Sequence, residues 1–153
     1  GANFAKHHRY RLAALQMANG EREAAVASYT EAFTCAGELG DPLHQQVIAA
    51  DLGLNLLGTE PGTAAQWFSR AAEQARVIGD PLRAAQSLAG QALAEGSHDW
   101  TEALRCAQAS TTTPAETEPL VKALSQGDAE AVRKALPRAR SKLNRPFDAV
   151  NLY

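Results

Sequence analysis

A chain of 153 residues, 45% hydrophobic and 21% charged, is long enough to bury one core and too apolar to be disordered throughout. No apolar run approaches the roughly 20 residues that cross a bilayer as a helix, and the opening GANFAKHHRYRLAALQ sets its basic residues inside an amphipathic pattern rather than ahead of a signal core. The net charge of −2 conceals +3 in residues 1–20, −10 in residues 21–131 and +5 in residues 132–153, and an acidic body with basic ends argues against a nucleic-acid groove along the molecule.

Alanine is frequent while β-branched and aromatic residues are sparse, which favours closely packed helices. Residues 4–18 place Phe4, Leu12, Leu15 and neighbouring alanines on one face and stop at Asn19-Gly20. Residues 21–38 follow with Ala25, Tyr29, Ala32, Phe33 and Ala36, and residues 43–57 with Val47, Ala50, Leu54 and Leu57. GTEPG at 58–62 breaks the chain before a helix over 63–78 built on Ala64, Phe68, Ala71 and Ala75. Helices over 81–94 and 99–109 come next, separated by EGSHD, where Asp99 is expected to cap the second. The loop STTTPAE (110–116) leads to two shorter helices, about 117–125 and 128–142, parted at Gln126-Gly127-Asp128. NRPFDAVNLY is expected to be a tail, with Pro146 stopping the last helix. The cations of this basic end then complement a helix C-terminal dipole.

Gly-Asp-Pro-Leu occurs at 40–43 and again at 79–82, 39 positions later. Glycine supplies the left-handed residue that closes one helix, aspartate accepts from free N–H groups of the next, and proline fits the first helical position, where its missing N–H costs nothing. Leucine is expected to begin the buried face. No GKS or GKT follows and no strand precedes, so the motif reads as a hinge between helices and not as a phosphate loop. The same offset carries Ala25 to Ala64 and Ala103, Tyr29 to Phe68, Ala32 to Ala71, Ala36 to Ala75, and Leu39 to Ile78. A period of this length made of two helices implies an all-α solenoid in which each unit buries its face against its neighbours.

The units resemble tetratricopeptide repeats. Leu12-Ala13, Gly20, Ala25, Tyr29 and Ala32 keep that family's pattern and spacing in the first unit. The second offers Leu52-Gly53, Ala64, Phe68 and Ala71, and the third Leu88-Ala89 and Ala103, with Ala107 where the family has an aromatic residue. The resemblance implies a right-handed α-solenoid of antiparallel helix pairs: units at about 4–40, 41–79 and 80–109, a loop at 110–116, a capping pair at 117–142, and a tail at 143–153. Repeats longer than the family's usual period are similar to those of bacterial regulatory and signalling proteins.

Little in the sequence asks for catalysis. His7 and His8 point about 100° apart on a helix and are poor joint ligands for a metal. His44 and His98 are isolated, and no HExxH, GxSxG or paired-cysteine motif occurs. Cys35 and Cys106 read as small core residues, and Trp67 and Trp100 as packing. We therefore expect a non-enzyme with no cofactor and no metal, in a reducing cytoplasm. In the family the first helix of each unit lines a concave groove that receives a peptide or partner helix. Carried over by position, the groove candidates are His7, Tyr10, Arg11, Ala14 and Met17, then Val47, Ala50, Asp51 and Leu54, then Arg83, Gln86 and Ala89. These are mostly small or apolar, which does not match a lysine-and-asparagine carboxylate clamp and fits a helical or extended segment of a protein partner. Two expectations follow. One is an adaptor that binds a protein or peptide through this groove, with end surfaces open to homo-oligomer formation. The other, consistent with an opening Gly1-Ala2 that lacks methionine, is a regulatory segment of a larger bacterial protein, such as a transcriptional regulator, that senses a peptide or small molecule.

Overall fold

In the computed structural model, which describes residues 2–150 and the side chains of residues 7–148, each Gly-Asp-Pro-Leu segment is a helix hinge. Gly40 and Gly79 adopt φ of 66° and 70°, a conformation that costs other residues free energy. Around them the N–H of Asp41 reaches the carbonyl of Ala36 at 2.9 Å, and that of Asp80 the carbonyl of Ala75 at 3.1 Å, closing the ends of the preceding helices. The carboxylates then turn to the next helix. Asp41 accepts from the His44 N–H at 3.0 Å, and Asp80 from the Arg83 N–H at 3.1 Å, with Pro42 and Pro81 opening those helices. Leu43 lies exposed instead of starting the buried face; that role falls to His44, Val47 and Ile48. Gly127-Asp128 repeats the device without the proline, Asp128 accepting from the Ala131 N–H.

All regular structure among the described residues is helical: α1 (Ala2–Ala18), α2 (Arg22–Glu38), α3 (Pro42–Leu56), α4 (Pro61–Ile78), α5 (Pro81–Glu95), α6 (Thr101–Ala109), a 3-10 turn (Ala115–Thr117), α7 (Glu118–Gln126) and α8 (Ala129–Val150). Each helix from α1 to α6 packs on the next, and α3 also touches α5 directly. The recurring alanines Ala25, Ala64 and Ala103 are all buried, and Tyr29 and Phe68 fill the gaps between helices. Trp67 is buried with its ring edge-on to Phe33 at 5.4 Å, and Trp100 is buried against the core, so both serve packing. Asp99 accepts from the N–H of Thr101, the first residue of α6, at 3.1 Å.

Three further expectations are corrected. On α1 the residues that face the rest of the protein are Tyr10 and Ala13, with Met17 partly covered, while Leu12 and Leu15 are 39% and 54% exposed. The helix turns its aromatic face inward because Tyr10 meets Tyr29 on α2, His44 on α3 and Arg140 on α8. Phe4 lies outside the described side chains. The expected tail is helical as far as Val150, and residues 151–153 lie outside the description. Pro146 has no N–H to offer the Lys142 carbonyl in the preceding turn, yet the helix continues. This stretch is held against the repeats by the Arg83 guanidinium, which donates to the adjacent Leu143 carbonyl, and by Phe147, which packs against the core. The cations of α8 accordingly lie along the body of the helix and none is in its last turn, so they do not complement its dipole.

Candidate functional site

α8 does not extend away from the repeats. It runs back across α5 and α3, so that its second half lies over the side chains that the first helices of the pairs turn to one face. Two polar clusters form where it crosses.

The first is centred on Arg140. Its Nε donates to Asp51 Oδ1 at 2.7 Å, its Nη2 to the Tyr10 hydroxyl at 3.1 Å and its Nη1 to Asp148 Oδ2 at 2.8 Å. The other Asp51 oxygen accepts from the Tyr29 hydroxyl at 2.8 Å. α1, α2, α3 and α8 thus each contribute a member. Asp51 is buried and doubly engaged, whereas the Asp148 side chain is 44% exposed. Burial works against the charge on Arg140, but the charge and hydrogen bond of Asp51, together with Tyr10 and Asp148, outweigh it and hold the guanidinium pKa above its ordinary value. Tyr10 and Tyr29 are both pushed well above the usual tyrosine range, by burial first and the neighbouring Asp51 charge second.

The second cluster is centred on Arg83, on α5. Its Nη1 donates to Gln46 Oε1 at 2.9 Å and to Asn144 Oδ1 at 3.4 Å, its Nη2 to the Leu143 carbonyl, and its Nε lies 3.3 Å from Asp80. Burial lowers its pKa, and Asp80 opposes that shift. Gln46 in turn donates to Gln86 Oε1 and Ser87 Oγ at 3.4 and 3.3 Å. The Phe147 ring covers this cluster, 5.7 Å from the Arg83 guanidinium carbon and 5.3 Å from the His44 ring.

Of the groove candidates read from the sequence, Tyr10, Arg11, Met17, Asp51 and Leu54 gather around Arg140. Two cavities meet there: one of about 340 Å³ lined by Ala14, Met17, Tyr29, Asp51, Leu54 and Arg140, and one of about 310 Å³ lined by Tyr10, Arg11, Ala14, Leu15, Arg140 and Asp148. Arg83 and Gln86 are brought together with Gln46 but are buried, Arg83 beneath α8. His7 is half-buried with its ring 4.6 Å from that of His44. Val47, Ala50 and Ala89 belong to the core and reach no surface.

The sequence does not single out Arg140, Asn144, Phe147 or Asp148, because locally these positions read as a capping helix and a tail, and Tyr29 reads as packing alone. The available signal was Arg140 and Asp148 two turns apart, which is visible only if the helix is carried through Pro146. Among the described residues no group of three or more His, Cys, Asp or Glu side chains is placed to hold a metal ion, and no helix is long and apolar enough to cross a membrane. A further cleft of about 410 Å³ between α7 and α8, rimmed by Lys122, Lys134 and Arg138, shares none of these residues. Compared with known proteins, the chain matches no family model, and no curated protein or solved structure aligns with it significantly.

Proposed function

We propose that the chain is a non-catalytic interaction module, built of tetratricopeptide-like helix pairs wound as a right-handed solenoid, which binds a segment of a partner protein on the face formed by α1, α3 and α5. One observation carries this reading: that face already holds a helical segment, the second half of α8, through charged, polar and aromatic contacts drawn from several helices. A face that grips a helix by side chains on α1, α3 and α5 has the chemistry of a helix-in-groove receptor. The two cavities beside Arg140 extend the face beyond what α8 covers, with an apolar wall of Met17 and Leu54 and a polar rim of Arg11 and Asn55.

The test uses the rim, because Arg11 and Asn55 are exposed and do not contribute to the core. Partners retained by the immobilised chain are identified, and their affinity is compared for the wild type and for Arg11→Glu combined with Asn55→Lys. The expected result is at least about tenfold weaker binding, or about 1.4 kcal/mol, with an unchanged melting temperature. Equal affinity would sink the assignment of this face.

A further inference from the structure

The contacts between α8 and the repeats are uneven. Arg140 is anchored deep, on buried Asp51 and on Tyr10. Beyond it the fit deteriorates. Pro146 interrupts the helical hydrogen bonds. The Leu143 carbonyl accepts from Arg83, on another helix. Asn144 is fully buried, yet its Nδ2 donor has no partner, and its Oδ1 receives only a long 3.4 Å bond. A buried donor without an acceptor loses the hydrogen bonds it would make in water. Asp148, the last described contact, is an exposed carboxylate on the outer edge of Arg140, beside a cavity of about 310 Å³. The buried core residues of α8, Val132, Ala135, Leu136 and Ala139, all precede Arg140. Beyond it, among the described residues, only Asn144 is buried, with an unsatisfied amide and a helix-interrupting, exposed Pro146 close behind it. A segment selected only to complete a core would not be built that way.

We infer that residues 141–148 are an internal ligand of the α1, α3 and α5 face, and that the partner is a protein segment bearing an aromatic residue next to a carboxylate, which replaces Phe147 and Asp148. This rests on the reading of that face as the partner-binding surface. The aromatic ring occupies the place between His44 and Arg83, where a ring face meets a guanidinium. The carboxylate takes the outer edge of Arg140, which stays in position because Asp51 and Tyr10 hold it independently of Asp148. The cation that reads the partner's acid therefore comes from α8 itself, at the hinge between its anchored and displaceable halves. The exchange costs little in charge, since one carboxylate leaves Arg140 as another arrives.

The experiment needs no identified partner. A labelled peptide of residues 141–150, SKLNRPFDAV, is titrated against the full chain and against the full chain carrying Phe147→Ala and Asp148→Asn, which weakens the resident segment. The expected result is binding to the double variant at least tenfold tighter than to the wild type, and about three- to tenfold weaker binding when the peptide itself carries Asp148→Asn. Equal binding to both chains, or binding to neither, overturns the inference; equal binding of the two peptides overturns the role of the carboxylate. Hydrogen exchange on the wild type provides the second measurement should the double variant lose helical structure. Amides of residues 143–148 are expected to exchange while α3 and α5 stay protected, and exchange only in step with α3 and α5 makes the segment an integral part of the core and overturns the proposal. If the peptide results hold but the rim variant leaves partner affinity unchanged, the internal ligand stands and the partner-binding reading falls. The reverse pattern leaves partner binding intact and removes the internal ligand.

Discussion

Phe68 lies against two glycines, Gly53 on α3 and Gly90 on α5, and the three account for how closely these helices approach. A Cβ added at Gly53 would stand 3.0 Å from the Phe68 ring, and one at Gly90 only 2.3 Å from it. Neither glycine has a left-handed φ, so each is there for space and not for conformation. Alanine at position 90 would gain about 1 kcal/mol of helix propensity but would force the fully enclosed ring to move, at about 1–3 kcal/mol. We expect Gly90→Ala to be net destabilising in urea unfolding, and Phe68→Leu in the same chain to recover part of the loss. A Gly90→Ala chain as stable as the wild type would show that the ring has room to shift. The repeat of an aromatic at 29 and 68 was visible in the sequence; the glycines that receive Phe68 were not, because the sequence does not say which small residues face a ring.

The hinges are the best-determined local elements, since glycine, aspartate and proline each act within a turn of their own position. At the second hinge the carboxylate has two tasks, capping α5 and standing 3.3 Å from the buried Arg83 guanidinium. Asp80→Asn keeps a capping acceptor and removes the charge, so it isolates the second task, whereas Asp80→Ala removes both. We expect Asp80→Ala to cost about 2–3 kcal/mol, of which about 1 kcal/mol is the cap, with Asp80→Asn falling between it and the wild type in thermal or chemical unfolding. Equal losses in the two variants would reduce the side chain to its charge alone. α8 shows the opposite case. Pro137 and Pro146 are both inside it, and from sequence the second reads as a stop. A contact that holds this stretch to the repeats comes from Arg83, 60 positions away in the chain, which no local signal could report.

Tyr10, Tyr29, Asp51 and Arg140 tie α1, α2, α3 and α8 into one network, and this gives the protein a characteristic response to alkali. Both phenols have folded-state pKa values raised above the ordinary value of 10.0, so the unfolded chain releases these protons first. Their contribution is fully present below about pH 10 and is lost as the pH rises above it. Two protons correspond to a limiting slope of about 2.7 kcal/mol per pH unit, and Tyr10→Phe should reduce it by about 1.4 kcal/mol per pH unit relative to the wild type. Urea unfolding between pH 8 and 11 measures both. An unaltered slope in Tyr10→Phe would mean that this phenol ionises as freely in the folded chain as in the unfolded one.

The sequence by itself determined the all-helical class, the pairing of successive helices and the places where they turn. These depend on periodicity and on caps, which act over three or four residues. It also drew attention to Tyr10, Asp51 and Arg83 as functional candidates, at the positions where the tetratricopeptide resemblance implies a groove. Only the tertiary structure decided what those side chains meet. α8 returns across α3 and α5, buries Arg83 and provides Arg140 to Asp51, 89 positions distant. Whether a charged residue points to solvent or into a network depends on the element laid over it. That is fixed by packing between distant segments, where burial, charge pairing and helix geometry must be satisfied together and no stretch of sequence holds all of them.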